Sequence, residues 1–506
     1  MCFAQLERKM FRFSKYSVCF VSFFLALFMA FASCSLAQST SWMGVYLMGS
    51  KVGNTEVRIE PAVYQGVKAR KVVSVSDITI HLMGVNATQK TSSLSYTDLK
   101  DNPLYQRFLI ESNGSKVQLT AVFHKTTITC EVNSGHGVTK KTLDIPEGAK
   151  FATDGDNPLQ KNQYTVGAKY TLYAIDPLTI SLEPYNIQIM SESVVTLNGK
   201  TYNAYRVHSQ GPMEELSTWE TADGTTLEAD SPIGLTMYLE SAKDALKAGA
   251  PAPQFSVKDA ATETKTGYVP PKDFALATSI ASDLKIPDPR TAKYLKLVVS
   301  GLSGLSIPQS DSRQQAVKQS DGSYLIEVHA TEFDASKSVN LPISGNQFEP
   351  YLRSAAYLEV NSPKVREIAA QLKGGDSNAY EVAERIRSWV YSHMTPNASI
   401  GVPRSCLDIL DHPVGVCRDY ATLYAGIARA AGIPTRLVSG IVYANGRFFY
   451  HAWAESWVGK WVPMDATLPN SFVDATHVKL AQGEVTDMYG VSGMIGRIKV
   501  KVLEAK

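Results

Sequence analysis

The sequence predicts an α+β protein in which antiparallel β domains precede a C-terminal domain that contains helices. In the first half of the chain, short runs of alternating apolar and polar residues are separated by turn dipeptides such as Asn113-Gly114 and Asp223-Gly224. After residue 350, apolar residues recur at helical spacing, first over 363–373 and then over 379–393. A chain of 506 residues has room for roughly two to four domains.

Composition and charge indicate a globular protein without an electrostatic preference for nucleic acid. Hydrophobic residues make up 44% and charged residues 19% of the chain, which is typical of folded domains and not of disordered ones. Residues 1–37 hold four of the 50 basic and one of the 48 acidic side chains, so the remainder carries 46 basic and 47 acidic groups, a net charge of −1. We therefore expect no nucleic-acid partner.

Residues 1–37 have the pattern of a signal peptide, because basic residues precede a largely apolar stretch that ends in small residues. Cleavage after Ala37 suits an ordinary signal peptidase. The alternative is a lipoprotein-type site that places a lipid on Cys34, although Phe31 is a poor residue at the first position of such a site. We expect an exported protein of the periplasm or cell envelope, with membrane contact only through a lipid on Cys34.

Shifts in composition divide the rest of the chain. Short strands separated by turns predict an antiparallel sandwich or incomplete barrel, prolines mark a linker, and two further alternating runs indicate a second, smaller β unit. The expected segments are residues 1–37 (signal peptide), 41–247 (N-terminal antiparallel β domain), 248–272 (linker), 273–350 (small β unit) and 351–506 (the domain that carries the chemistry).

The few cysteines beyond the signal segment point to chemistry and not to a disulfide scaffold. No Cys-x-x-Cys pair and no close pair of histidines is present, so we expect neither a metal site nor a cofactor. Cys417 precedes an apolar helical pattern that Gly432 ends. This places Cys417 in the first turn, where the helix dipole favours a thiolate and free N–H groups could receive an oxyanion.

Cys406 is the internal comparison for Cys417. It follows Ser405, a good N-cap residue, and falls at a helical position with apolar neighbours. We interpret it as a core residue and not as a nucleophile. A disulfide between Cys406 and Cys417 is the alternative in an oxidising compartment.

His451 is the candidate base and Asp465 the candidate orienting acid. The Asn445-Gly446 turn predicts a hairpin that puts Gly440 opposite His451, where a missing side chain would leave room for an imidazole. A two-residue loop at Gly459-Lys460 would turn Asp465 away from the His451 face. A three-residue loop, or a bulge at Pro463, which has no N–H to donate to the sheet, would turn it back, so we expect an irregular hairpin.

Two other histidines are alternative bases. His412 lies in a turn just before Cys417, and His477 follows the strand that precedes Asp465 in the predicted hairpin. Neither has a carboxylate on a neighbouring strand that is as well placed as Asp465 is for His451.

Four ordered motifs resemble the transglutaminase-like superfamily in its bacterial exported branch. They are G-V-C-R-D-Y-A (415–421), G-I-P-T-R (432–436), Y-H-A-W-A-E-S-W (450–457) and W-V-P-M-D-A-T (461–467). The resemblance implies a papain-like transglutaminase core at the C-terminus, with Cys417 as nucleophile, His451 as base and Asp465 as the acid that orients the base.

The resemblance further implies an exported, cysteine-dependent enzyme that transfers acyl groups from amide or peptide bonds. We expect hydrolysis of a protein or peptide substrate in the cell envelope, as in a cysteine peptidase or amidase. One alternative is a transglutaminase that cross-links proteins by transfer to an amine. The other is a binding or assembly module of the cell envelope whose core is vestigial and without catalytic activity.

Overall fold

The computed structural model describes residues 38–506 apart from gaps at 83–84, 113, 136, 153–163, 213–214, 233, 259–273, 303–309 and 399–400. The predicted signal peptide and Cys34 lie outside the described residues. None of the described helices is both long and apolar enough to cross a bilayer.

One large antiparallel sheet takes up the first half of the described chain. Its strands are β1 (Ser39–Leu47), β2 (Ser50–Tyr64), β3 (Val67–Leu82), β4 (Val85–Asp98), β5 (Pro103–Ser112), β6 (Ser115–Phe123), β7 (Thr127–Asn133), β8 (Val138–Asp144), β9 (Lys169–Asp176), β10 (Ser181–Leu197), β11 (Lys200–Gln210), β12 (Glu215–Thr221), β13 (Thr226–Asp230), β14 (Leu235–Glu240) and β15 (Phe255–Val257).

The spatial order of these strands is β15-β10-β11-β12-β13-β14-β1 followed by β2 to β8, and β9 pairs with β10. Tight hairpins join long strands, as at Gln65 and Gly66, where both residues adopt positive φ (48° and 84°). Strands β2, β3 and β4 have 15, 16 and 14 residues, and every residue of β4 pairs with β3. The predicted N-terminal antiparallel β strands belong to one continuous sheet. Phe255–Val257, which lies inside the predicted linker, forms an edge strand of this sheet.

The remaining strands build two small antiparallel sheets and one parallel pair. They are β16 (Ile280–Ala281), β17 (Tyr294–Ser300), β18 (Gln314–Lys318), β19 (Tyr324–His329), β20 (Thr395–Pro396), β21 (Val414–Gly415), β22 (Thr435–Ala444), β23 (Arg447–Trp457), β24 (Trp461–Met464), β25 (Val478–Gly483) and β26 (Lys499–Ala505).

The α-helices are α1 (Ala242–Ala245), α2 (Phe274–Thr278), α3 (Pro363–Lys373), α4 (Ala379–His393), α5 (Cys406–Asp411) and α6 (Cys417–Ala430). The 3₁₀ segments are Pro289–Thr291, Ala335–Lys337, Glu349–Tyr351 and Thr486–Met494. The predicted helical segments 363–373 and 379–393 are confirmed by α3 and α4. Asn378 caps α4 by accepting from the N–H groups of Tyr380 and Glu381.

The predicted α+β fold class with a papain-like core is wrong. Among the described residues, strands hold 50% and helices 17%, and the strands form large antiparallel sheets. The physical reason is that the turn dipeptides connect long strands, and these strands place most of residues 39–240 in one sheet. Helical periodicity, by contrast, extends only over short segments after residue 362. The chain is a mostly β protein with a few helices packed on its sheets.

The sheet that carries the candidate chemistry has the order β16-β23-β22-β25, with β24 on β23. Helix α6 packs on β23, where the Tyr424 and Ser456 hydroxyls lie 2.7 Å apart in the buried interface. The other small sheet has the order β18-β19-β17-β26. Strand β26 lies in the predicted C-terminal domain, but it pairs with β17, which lies in the predicted small β unit. The sheet therefore crosses the predicted domain boundary at residue 350.

A single apolar cluster joins the large sheet to the helices. Side chains from β5, β6 and β7, such as Ile110 and Leu119, pack in one cluster with those of α4 and α6, such as Ile386 and Leu423. All four side chains have at most 1% of their surface exposed. The strands of the large sheet thus support the helix that begins at Cys417.

Candidate active site

Cys417 is the first residue of helix α6, which confirms its predicted position in the first turn. The Asp419 carboxylate accepts a hydrogen bond from the N–H of Val416 at 2.9 Å and so fixes the start of the helix. A side chain on Gly415 would collide with that carboxylate, which explains the glycine two residues before the cysteine. Cys417 is buried, with 2% of its surface exposed.

Cys406 lies beneath α6 as a core residue, as predicted. It is fully buried, and its thiol donates to the carbonyl oxygen of Thr422 at 3.4 Å. Burial raises the pKa of this thiol well above its usual value. Among the described residues, Cys406 and Cys417 are not joined by a disulfide, so the alternative pairing is not present.

His451 and Asp465 form a buried pair. Nε2 of His451 lies 2.7 Å from Oδ2 of Asp465, and the two side chains have 2% and 1% of their surface exposed. The other carboxylate oxygen, Oδ1, accepts from the backbone N–H and the hydroxyl of Thr467 at 2.8 and 2.7 Å. Within the described part of the chain, Nδ1 of His451 has no hydrogen-bond partner.

The hairpin between β23 and β24 has the irregular form that the sequence predicts. Trp457 pairs with Trp461 and Ala454 with Met464, so three residues, 458–460, form the loop. Continuing that register puts Asp465 opposite Trp453, on the same face of the sheet as His451. The three-residue loop, without a bulge at Pro463, therefore brings the acid to the base.

Gly440 lies opposite His451, as predicted, but for a different reason from the predicted one. The register between β22 and β25 shifts at this point, between Ser439 and Gly440. A Cβ on Gly440 would collide with the backbone carbonyl oxygen of Val478. The glycine makes room for the β25 backbone and not for the imidazole.

The sequence named His477 as an alternative base but did not predict that it contacts Asp465. Its Nε2 lies 3.2 Å from Oδ2 of Asp465, the same oxygen that His451 contacts. The ring centroids of His451 and His477 are 5.4 Å apart. The position of His477 directly before β25, a strand that pairs with β22, could have placed it near the site. The direction of its side chain depends on the register shift between β22 and β25, and no local sequence pattern indicates that shift. His412, the other alternative base, is the exposed C-cap residue of α5.

Burial and charge act in opposite directions on these groups. Burial would raise the pKa of Asp465, but the charges and hydrogen bonds of His451 and His477 outweigh it and hold the pKa well below its usual value. Burial lowers the pKa of His451, against the effect of Asp465. Burial would also lower the pKa of His477, but Asp474 and Asp465 outweigh it and raise that pKa. The site therefore favours an ionised Asp465 beside a neutral His451.

One grouping of side chains could hold a metal ion by composition. His451, Asp465 and His477 each bring a potential ligand atom to within 4.8 Å of the others. The hydrogen bonds between these atoms account for the grouping, and we assign no metal to it.

The site is defined by a cysteine at a helix start and a buried His–Asp pair on the sheet against which that helix packs. Residues 366–466, which include Cys417, His451 and Asp465, match the transglutaminase-like superfamily. The chain therefore contains a transglutaminase-like domain.

The chain is also similar to individual proteins. It is 29% identical over 163 residues to an uncharacterised protein of Mycobacterium leprae, a match that covers 30% of this chain and 56% of the relative, so that it spans about half of the relative's length. A candidate cysteine protease from Cytophaga hutchinsonii is similar in structure, with a TM-score of 0.30, 19% identity, and coverage of 43% of this chain and 89% of that one. A candidate protease from Parabacteroides distasonis gives a TM-score of 0.20 and 11% identity, with coverage of 81% and 68%.

Proposed function

We propose that this protein is an exported cysteine-dependent acyl-transfer enzyme that hydrolyses amide or peptide bonds, with Cys417, His451 and Asp465 as its catalytic residues. The observation that carries the proposal is the buried 2.7 Å contact between His451 and Asp465, on the strand against which the helix that begins at Cys417 packs. A base oriented by a carboxylate, beside a thiol at a helix start, is the combination that activates a cysteine nucleophile.

The hydrogen bonds assign the two ring nitrogens of His451 to different tasks. Nε2 faces an ionised carboxylate, which only accepts, so Nε2 carries the proton. Nδ1 is then the basic nitrogen, and it is the one that lacks a hydrogen-bond partner among the described residues. Nδ1 would take the thiol proton of Cys417 and later return it to the leaving group.

The reaction proceeds in two halves. The sulfur of Cys417 attacks the carbonyl carbon of the substrate while the thiol proton moves to His451, and the N–H groups at the start of α6 stabilise the oxyanion. Collapse of the tetrahedral intermediate breaks the C–N bond, and His451 protonates the departing amine. Water then attacks the thioester, gives its proton to His451, and releases the acid with regeneration of the thiol.

The substrate class that we propose is a protein or peptide in the cell envelope. The same thioester could instead pass its acyl group to an amine, which would make the protein a cross-linking enzyme. A fluorescent primary amine offered as acyl acceptor, together with a protein acyl donor, distinguishes the two outcomes, because only transfer incorporates the label, whereas hydrolysis yields a new carboxylate.

A thiol-directed probe tests the assignment of the nucleophile. We expect iodoacetamide to label Cys417 in the folded protein, and Cys417→Ala to lose both the label and the amidase or peptidase activity. Cys406→Ala is the matched control, because it removes a thiol that is equally buried but lies in the core. Labelling of Cys406 in place of Cys417, or full activity of folded Cys417→Ala, would overturn the proposal and favour a binding module with a vestigial core.

Export is a separate part of the proposal, and it is supported by the pattern of residues 1–37. Mass spectrometry of the mature protein from the cell envelope should find Gln38 at its N-terminus. A lipid on Cys34 would indicate the alternative processing site, and an intact Met1 would contradict export by either route.

A further inference from the structure

The carboxylate of Asp465 is shared by two imidazoles. Oδ2 faces Nε2 of His451 at 2.7 Å and Nε2 of His477 at 3.2 Å, while Oδ1 accepts twice from Thr467. An ionised carboxylate has about four acceptor positions. All four are used, so the direction in which Asp465 points depends on His477 as well as on His451 and Thr467.

His477 is itself held from the opposite side. Its Nδ1 lies 3.4 Å from Oδ1 of Asp474, at ion-pair distance. Asp474 in turn pairs with Arg290 at 3.0 Å and accepts from the N–H of Thr476 at 2.9 Å. The guanidinium of Arg313 donates to the carbonyl oxygens of both Asp474 and His477 at 2.7 Å. His477 thus bridges two carboxylates in a segment whose backbone is fixed.

The neighbours of His477 favour its imidazolium form. Nε2 lies within hydrogen-bond distance of Asp465, whereas Nδ1 lies at ion-pair distance from Asp474 and makes no hydrogen bond within the described part of the chain. Each nitrogen faces a carboxylate oxygen, and an ionised carboxylate can only accept a hydrogen bond. The raised pKa of His477, which Asp474 and Asp465 produce against the effect of burial, agrees with this. The charged or titratable groups around the ring are His451, Asp465, Asp474, Arg290 and Arg313.

We propose that His477 is a positioning residue of the candidate active site, which donates to Asp465 as an imidazolium and holds that carboxylate against His451. This inference rests on the proposed function, since it assigns a role in the same site. It also excludes His477 as the alternative base, because both of its nitrogens face carboxylates. A protein with only the Cys-His-Asp set would lack this second support for the acid.

The positive charge of His477 has a second consequence for His451. A cation near an imidazole makes it harder for that imidazole to hold a proton, and the charge of His477 lowers the pKa of His451 in addition to the larger effect of burial. His477 therefore weakens His451 as a base while keeping it oriented. Removal of the charge of His477 should raise the pKa of His451, whereas removal of its hydrogen bond should disturb the orientation of Asp465.

The test follows the rate of alkylation of Cys417 by iodoacetamide as a function of pH, with the labelled residue identified by mass spectrometry. His477→Gln keeps a donor for Asp465 but removes the charge. We expect the step of the profile at which the His451 imidazolium loses its proton to move upward on the order of one pH unit. His477→Phe keeps a ring but removes the donor, and we expect the rate at neutral pH to fall about tenfold to hundredfold.

His412→Gln is the matched control, because it removes an exposed histidine that lies close to Cys417 in sequence, at the C-cap of α5. Thermal melting checks that each variant is folded, and His477→Gln alone decides the matter if His477→Phe does not fold. Profiles of both variants that coincide with the wild-type profile, or a lower melting temperature of His477→Gln without a shifted step, would overturn the role of His477. Failure of the proposed function is distinguishable, because Cys417→Ala would then keep its activity whatever the His477 variants do.

Discussion

Gly440 and His451 lie directly opposite each other on β22 and β23, and the absence of a side chain at Gly440 allows the backbone of β25 to approach. The carbonyl oxygen of Val478 occupies the place that a Cβ at position 440 would need. His477 is the residue before Val478, so this close approach also positions the second imidazole of the site. A residue on one strand thus controls the placement of a side chain on the strand beyond it.

Gly440→Ala should therefore lower both stability and activity. Alanine must push β25 away, and insertion of a methyl group into a packed site typically costs about 1–3 kcal/mol. Denaturant unfolding measures the stability loss, and the iodoacetamide rate at Cys417 measures the effect on the site. Gly375→Ala is the control, because no atom lies within 4 Å of a Cβ there. A Gly440→Ala protein with wild-type stability would mean that β25 does not lie where the register places it.

Asp465→Asn should reduce the activity less than His451→Ala does. The amide keeps the shape of the acid but loses the charge that stabilises the His451 imidazolium, and it can favour the wrong tautomer of the ring. His451→Ala removes the proton acceptor itself, which typically contributes about a hundredfold to ten-thousandfold. Rates of amide hydrolysis for the two variants, each checked for folding by circular dichroism, should rank in that order. The reverse ranking would assign the base to another residue.

The double variant Cys417→Ala/His451→Ala should be hardly less active than Cys417→Ala alone. Residues that act as one catalytic unit give strongly non-additive effects, since a base has no proton to accept once the thiol is gone. The measurement is residual hydrolysis of the same substrate by the two single variants and the double variant. A further loss in the double variant, comparable to the effect of His451→Ala in the wild type, would show that His451 acts independently of Cys417.

The ionisation of Asp465 should make stability depend on pH in the acid range. Its pKa in the folded protein lies well below the usual value, which is about 3.9 for an unfolded chain. The folded state then binds the proton less readily than the unfolded state, so the contribution is complete above about pH 4 and is lost as the pH falls further. The stability difference between the wild type and Asp465→Asn should shrink from pH 6 to pH 3. A constant difference over that range would contradict a strongly depressed pKa.

Local signals in the sequence predicted the elements that carry the site. The helical spacing after Cys417 and the stop at Gly432 fixed α6, and the Asn445-Gly446 turn fixed the register that pairs Gly440 with His451. Side chains alternate between the two faces of a strand, and this alternation predicted an irregular hairpin before Asp465. The three-residue loop confirms that prediction. These predictions succeeded because each depends on contacts between residues that are close in sequence.

What could not be predicted depends on contacts between distant segments. The fold class was wrong because hairpins alone do not reveal that long strands such as β3 and β4 join one continuous sheet. The register shift beside Gly440 is set by β25, about forty residues away along the chain, and it determines that His477 faces Asp465. The C-terminal strand β26 pairs with β17, some 200 residues earlier, and no local pattern signals such a pairing.

Glu455→Ala should destabilise the protein more than any surface ion-pair change. The Glu455 carboxylate accepts from Arg436 at 2.6 and 2.8 Å and from Lys479 at 3.1 Å, and all three side chains are almost fully buried. Its removal leaves two buried cations that share the partly exposed Asp311 as their remaining ion-pair partner among the described residues. Loss of one partner of a buried ion pair typically costs about 3–5 kcal/mol. The measurement is the free energy of unfolding in denaturant.

The control for this prediction is Glu131→Ala, which breaks a pair with Lys140 whose side chains are 41% and 71% exposed. Such surface pairs contribute about 0–1 kcal/mol. Since Glu455 lies on β23 with His451 and holds Lys479 of β25, its loss should also loosen His477 and slow the alkylation of Cys417. Equal effects of Glu455→Ala and Glu131→Ala on stability would mean that Arg436 and Lys479 find other partners. In that case β25 would support the His–Asp pair only through its backbone contact at Gly440.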